Sequence, residues 1–458
     1  MLLLAAVLAL AVSCISEKEV TYDDHCYISE VSLGTLKREI HSLDSVGNDT
    51  ILIRTYTGGK NFPMTINQRT QFIENRDSLL YGTLLRSVLL NVTYTGSTLL
   101  YRVKGDVDST WLQYSSQDSM DLRKDVELLA MANDGLSSRS YTLRLNVHKQ
   151  EGDSLYWNQV DAAVPMLRVM TQPCAIMVQD RLSVLGKEDG AVKLAERSAE
   201  GDWSSTITNL PAEAVVETVI KKGGTFFVGT TNGDIYASND AKAWQKLNTQ
   251  QQAGRILAGA SSESLYALMD GELYRGVENE VGEWVFKAES LDESTAFLPA
   301  AQVKTLLMKQ ANGNNRLVMV GNRTDAADVT SVVWNKMWNA DIKEAEAEWM
   351  LLNQTADNKY TLPQLEYLNL LQYDGKCMAF GGPSVPGKGE NKAMDALYVS
   401  EDYGITWHKN LNMMKLPKQL NGVNGPIMSV VDDNNVIWII ANGEVWRGRL
   451  NRLGFERQ

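Results

Sequence analysis

The amino-acid sequence predicts an all-β protein: a β-sandwich over residues 19–150 followed by a six-bladed β-propeller over residues 151–458, with seven blades as the alternative count. Three observations predict it. Tryptophans at positions 157, 203, 244, 284, 349 and 407 head short strand-like runs at intervals of 46, 41, 40, 65 and 58 residues, bracketing the ~40–50 residues of a four-stranded blade. The last unit, Val436-Ile-Trp-Ile-Ile-Ala-Asn-Gly-Glu-Val-Trp-Arg-Gly448, matches Leu265-Tyr-Ala-Leu-Met-Asp-Gly-Glu-Leu-Tyr-Arg-Gly276, yet no outer strand follows it. An orphan strand, Ser154-Leu-Tyr-Trp157-Asn-Gln-Val160, opens the region and supplies what is missing, closing the ring without exposed edges.

Residues 1–18 read as a targeting segment and anchor. Met1 to Val12 is apolar and too short to span a bilayer. It runs into Leu10-Ala-Val-Ser-Cys14, and small residues directly before a cysteine at the end of such a run resemble the bacterial lipobox. That resemblance implies cleavage before Cys14 and lipidation of its thiol. Acyl chains would then hold the protein to a membrane, each buried methylene adding roughly 0.8 kcal/mol. The implied address is the bacterial cell envelope, as an outer-membrane lipoprotein facing the periplasm or the surface. Cys26, Cys174 and Cys377 remain, an odd number far apart, so no disulfide framework is expected.

Between Glu19 and Lys149 the runs at Ile51–Tyr56, Ser87–Tyr94, Leu99–Val103 and Tyr141–Val147 alternate apolar and polar residues and read as strands. Several such strands separated by Gly, Asn and Asp predict a sandwich of immunoglobulin type. The stretch Ala132 to Val147 resembles the end of bacterial cadherin-like and immunoglobulin-like modules, which implies a spacer beside the anchor. The polar, strand-free segment His148–Ser154 marks the domain boundary.

Within the propeller the order of strands is plainest at Arg255–Ala260, Ser264–Met269, Glu272–Gly276 and Glu283–Lys287. Turn pairs beginning at Gly223, Asn232, Asp270, Asp374 and Asn442 sit where tight hairpins need positive φ.

Ser400-Glu-Asp402-Tyr-Gly404-Ile-Thr406-Trp407 matches the whole pattern of the Asp-box found in sialidase-like propellers. In such a turn Asp402 caps backbone amides, Gly404 takes positive φ and Trp407 packs between blades. Ser238-Asn-Asp240-Ala-Lys-Ala-Trp244 is a shortened relative. The resemblance implies a structural role and assigns no chemistry. Sialidases also carry an Arg-Ile-Pro motif and three arginines that grip a carboxylate. The motif is missing here, and Arg168, Arg316 and Arg323 are the nominal candidates for the triad.

Net charge is −12, with 44 Lys and Arg against 56 Asp and Glu, and no basic run occurs, which disfavours nucleic acid as a partner. Four histidines without zinc spacing and no phosphate-loop or nucleophile-elbow motif leave no predicted catalytic residue, metal or cofactor. Asp432–Asn435 reads as a hairpin turn. Long connections at Gly381–Asn391, Ala288–Ala301 and Lys409–Gly425 interrupt the blade rhythm on the face where propellers bind ligands; the Glu-rich Trp338–Glu348 falls on the opposite face, and each is expected to be a solvated insertion. Lipobox, sandwich and Asp-box propeller together resemble lipoproteins of Bacteroides-type bacteria. The expected function is a non-enzymatic binding or assembly module for a glycan or protein ligand on the propeller face, attached to the membrane through the lipid anchor only. The alternative is a carbohydrate-active hydrolase of sialidase type.

Overall fold

The structure is a computed structural model that describes residues 23–43, 49–56, 58–105, 110–252, 256–325, 327–352, 358–410 and 414–453. The targeting segment with Cys14 lies outside the described residues. Two compact units divide the chain, one running up to Gly152 and one spanning Asp153–Arg452. Among the described residues no helix is long and apolar enough to cross a membrane.

The first unit contains two sheets around one core. A three-stranded sheet holds Tyr27–Leu33, Val88–Thr95 and Ser119–Met120, and a six-stranded sheet is centred on Thr98–Val103, Val126–Met131 and Ser138–Arg144. Period-2 alternation, reset by a register shift between Ile28 and Glu30, sends Ile28, Val31, Leu33, Val88 and Leu90 of one sheet against Leu99, Val126, Leu128, Tyr141 and Leu143 of the other. Tyr141 is fully buried, and its hydroxyl donates to Gln68 Oε1 at 2.7 Å while accepting from the Ile28 amide at 3.3 Å. That satisfies the one polar atom of a core aromatic. Leu36–Leu43 and Asp49–Tyr56 form a separate two-stranded ribbon.

The second unit is a β-propeller. Among the described residues it comprises six four-stranded antiparallel sheets, whose first strands are Thr171–Val178, Ile220–Lys222, Ile256–Ala260, Ala301–Lys309, Asn369–Tyr373 and Ile427–Val431. The first strands of neighbouring sheets touch around a closed circuit, the second sheet contributing through the short turn Val216–Thr218. Six apolar clusters, each shared by two adjacent sheets, complete the same circuit. Hairpin chemistry follows the sequence: Asp270, Asp374 and Asn442, with the glycine after each, all have φ between 50° and 82°. The Asn232 turn differs. Only Gly233 has positive φ there, because Gly233 N bonds Thr230 O and Thr230 N bonds Asp234 O, giving a longer loop with a left-handed glycine.

The ring closes on Ser154–Asp161, which pairs antiparallel with Glu444–Asn451 as the outer strand of the sixth sheet. The sequence reading placed Trp157 where other outer strands carry their first tryptophan. The register corrects this. Trp157 faces Gly448, as Phe286 faces Gly276 in the third sheet, while Leu155 occupies the place of Trp284. A two-residue offset keeps a side chain on the same face of a strand, so the packing role survives. Both glycines are obligatory: a Cβ at Gly448 would stand 2.4 Å from the Trp157 ring, and one at Gly276 would stand 2.4 Å from that of Phe286.

Candidate functional site

The residues Ser400, Asp402, Gly404, Thr406 and Trp407 meet in the hairpin between the third and fourth strands of the fifth sheet. Asp402 Oδ1 accepts from the Thr406 amide at 2.9 Å and the Ser400 hydroxyl at 2.8 Å, and Asp402 Oδ2 accepts from the Thr406 hydroxyl at 2.6 Å. Trp407 is buried against Val318, Val320 and Val333 of the fourth sheet, its ring nitrogen donating to Gly404 O at 3.1 Å. Gly404 has φ 97°, and a Cβ on it would come within 2.8 Å of Val333. The shortened turn at Asp240 repeats the pattern, with Trp244 Nε1 donating to Ala241 O at 2.9 Å.

This geometry is packing and capping. Burial pushes the Asp402 carboxyl up, but the hydrogen bonds from Thr406 and Ser400 outweigh it and hold the group below its usual value. Because the folded state binds this proton less readily than the unfolded state, the bonds contribute fully above the ordinary carboxyl pKa of 3.8 and are lost as pH falls through the lower folded value. Asp402→Ala is expected to cost about 2 kcal/mol, the scale of hydrogen bonds to a charged acceptor. It should also blunt the acid limb of stability, read by denaturant titration at neutral and acid pH; an unaltered acid limb would remove Asp402 from this role.

Arg168, Arg316 and Arg323 have separate surroundings and do not form a carboxylate-gripping triad. Arg316 stacks at 4.4 Å over the Tyr403 ring of the Asp402 hairpin, and Arg323 pairs with Asp325 and Asp328. Arg323 is thus held within its own loop, and Arg316 reaches the hairpin of the neighbouring sheet. The Asp432 carboxylate caps its own turn, accepting from Asn434, Val436 and the Trp438 ring. The Trp338–Glu348 segment is largely exposed, as expected, but not throughout: Glu344 is buried and accepts from Ser261 and Tyr266 at 2.9 and 2.6 Å.

The concave site lies where the first strands begin. A cavity of about 470 Å³ is lined by residues that include Gln172, Cys174, Gln302, Lys304, Tyr367, Asn369 and Ser429, together with Arg168 and Glu217. Among the described residues, none of the loops at Gly381–Asn391, Ala288–Ala301 and Lys409–Gly425 lines it. Gln172, Gln302 and Tyr367 have φ of 50°, 54° and 49°, and each stands two residues before a ladder position, at Cys174, Lys304 and Asn369. Gly425 does the same before Ile427 with φ 91°. Left-handed backbone at a non-glycine residue costs on the order of 1–3 kcal/mol and persists where the surroundings over-determine it. Those surroundings are visible here. Gln302 Oε1 accepts from the Leu368 amide at 3.0 Å, and Asn369 bonds Tyr367 O, Ile427 O and the Ser429 hydroxyl at 2.7 to 3.0 Å. These bonds tie the fourth, fifth and sixth sheets together along the wall.

Its charges are uneven. Arg168 Nε donates to Asn442 O at 2.9 Å and Lys304 Nζ to Glu217 O at 3.1 Å, and neither cation has a carboxylate in ion-pair range among the described residues. Glu217 is the one carboxylate among the lining residues, where the usual glycosidase needs two. Burial pushes the Cys174 thiol up, against the opposing pull of Lys304. That disfavours a thiolate nucleophile.

A family model described as the DUF6242 beta propeller domain matches residues 151–458, well over half of the chain. The chain belongs to the DUF6242 family. Residues 31–145 match the model of the domain of unknown function (DUF6242) N-terminal domain. No curated protein matches the DUF6242 chain. Similar solved structures include virginiamycin B lyase from Staphylococcus aureus, 10% identical, covering 64% of this chain and all (100%) of that one with a TM-score of 0.38. The alpha-L-arabinofuranosidase of Fusarium graminearum is 10% identical over 65% of this chain and 98% of its own, at 0.38. The alpha-L-arabinanase of Penicillium chrysogenum is 11% identical over 66% and 99%, at 0.35. Likeness this distant assigns no chemistry to the DUF6242 propeller.

Proposed function

We propose that the chain is a non-enzymatic binding module of the bacterial cell envelope whose propeller holds a glycan in the central cavity. Cys14 is its lipid anchor, the immunoglobulin-type sandwich is its spacer, and the six sheets are six blades in which the Ser400–Trp407 turn serves as a structural Asp-box. The supporting observation is the cavity itself. Its volume of about 470 Å³ falls in the ~300–1,000 Å³ range of small-molecule sites. Amide and hydroxyl side chains at Gln172, Gln302, Asn369 and Ser429 offer both donors and acceptors to sugar hydroxyls. The exposed ring of Tyr367 adds an apolar face at the rim.

The test is a glycan array on the full chain, followed by calorimetric titration of any hit against an Arg168→Ala/Gln172→Ala variant. Neither side chain is buried, so melting should stay unchanged while affinity falls at least about tenfold, roughly 1.4 kcal/mol. Turnover in a broad glycosidase screen would replace this reading with the hydrolase. Silence on the array, together with capture of a protein partner by the full chain, would move the ligand from glycan to protein.

A further inference from the structure

An asparagine followed by glycine loses its side-chain amide more readily than other asparagines, because glycine leaves the next backbone nitrogen unhindered. The chain has five such pairs, at Asn232, Asn312, Asn421, Asn424 and Asn442. Since glycine follows in every case, the fold decides between them. Two features protect such a pair: a hydrogen bond that occupies the glycine N–H, and packing that stops the backbone from turning.

Three pairs have the nitrogen engaged. Gly233 N donates to Thr230 O at 2.9 Å, Gly313 N to Gln310 O at 3.0 Å and Gly422 N to Ala393 O at 2.8 Å. The pair Asn442-Gly443 is held by its surroundings instead. Arg168 Nε donates to Asn442 O at 2.9 Å and Val164 N to Gly443 O at 2.8 Å, and a Cβ at Gly443 would stand 2.8 Å from Arg168 and 2.9 Å from Val164 O. Asn424-Gly425 has neither protection. Asn424 is exposed, the Gly425 N–H has no acceptor among the described residues, and a Cβ at Gly425 would meet no atom within 4 Å.

We propose that Asn424 is a deamidation site of the folded chain. The Gly425 nitrogen gives up its proton and attacks Asn424 Cγ; the new N–Cγ bond forms as the Cγ–Nδ2 bond breaks, and ammonia leaves with that proton. Water then opens the five-membered succinimide at one or other carbonyl, giving aspartate or isoaspartate. Both products carry a new negative charge, and isoaspartate adds a methylene to the main chain. Position gives the change its reach. Pro426, two residues on, lines the cavity of about 470 Å³, and Ile427 begins the first strand of the sixth sheet. With φ of Pro426 fixed by its ring, an added backbone atom before it is passed on to the strand start rather than absorbed there. The deamidation is independent of what the cavity holds, whereas its effect on a glycan rests on that cavity being the glycan site.

The experiment is timed incubation of the full chain at mildly alkaline pH, then digestion and mass spectrometry with the aspartate and isoaspartate peptides separated by chromatography. Asn424 should convert first, at least about fivefold faster than Asn232, Asn312 or Asn421, the factor for opening one backbone hydrogen bond. In the urea-unfolded chain the five pairs should convert at similar rates. Asn424→Gln, whose cyclisation needs a slower six-membered ring, should remove the early product and leave melting unchanged. The assignment is overturned if another pair keeps pace with Asn424 in the folded chain, or if the unfolded chain shows the same preference.

Discussion

Deleting Ser154–Val160 is expected to lower the melting temperature of the propeller by on the order of 10 °C, the shift that several kcal/mol produces in a domain of this size. The segment lies far from its partner in sequence, yet it forms the outer strand on Glu444–Asn451. Its removal exposes the aromatic seat at Gly448 and takes Leu155 and Trp157 out of contact with the cluster that includes Trp446, Tyr373 and Ile439. Burial of each such side chain is worth about 1.5–3 kcal/mol. The ring nitrogen of Trp157 also donates to Lys415 O at 2.6 Å. Trp157→Ala should reproduce a large part of the loss without shortening the chain. An unchanged calorimetric melting curve in both variants would mean that the ring does not depend on this closure.

The second large effect is expected at Lys336, which is fully buried between the third and fourth sheets. It pairs with Glu289, whose carboxylate also accepts from Arg275 Nε at 3.1 Å and Trp349 Nε1 at 3.0 Å. Removing the ammonium leaves the buried Glu289 carboxylate with Arg275 as its remaining cation and takes away one charge-assisted bond, so Lys336→Met should cost about 2–3 kcal/mol in denaturant unfolding. Adding Glu289→Gln also removes the carboxylate of Arg275, so the double variant should be no more stable than the single one. A single variant within about 1 kcal/mol of wild type would show that the pair contributes little. Burial holds the Lys336 ammonium below its ordinary value of 10.5, with Glu289 opposing. The unfolded chain therefore binds more protons in that window, so stability should rise with pH up to about 10.5, and Lys336→Met should abolish the rise.

This network also shows where reading the sequence stopped. The Glu-rich run at 344–348 looks solvated because alternating Glu and Ala carry no burial signal. Glu344 is buried only because Ser261 and Tyr266, some eighty residues earlier, present two hydroxyls to it. Arg168, Arg316 and Arg323 likewise share a residue type but not a place.

What the sequence by itself determined is local and periodic. Alternating apolar residues specify strands, Asp270-Gly and Asn442-Gly specify their hairpins, and Ser400 to Trp407 specify a capped turn, because each needs only neighbours a few residues away. The missing strand after Gly448 was legible as well, since a repeat that ends early announces its own defect. The tertiary structure alone decided the cavity. Its wall comes from the starts of first strands in separate sheets, so no window of sequence contains it. Gln172, Gln302 and Tyr367 adopt left-handed backbone that their residue types disfavour, beside hydrogen bonds that join separate sheets, from the Leu368 amide to Gln302 and from Asn369 to Ile427 O.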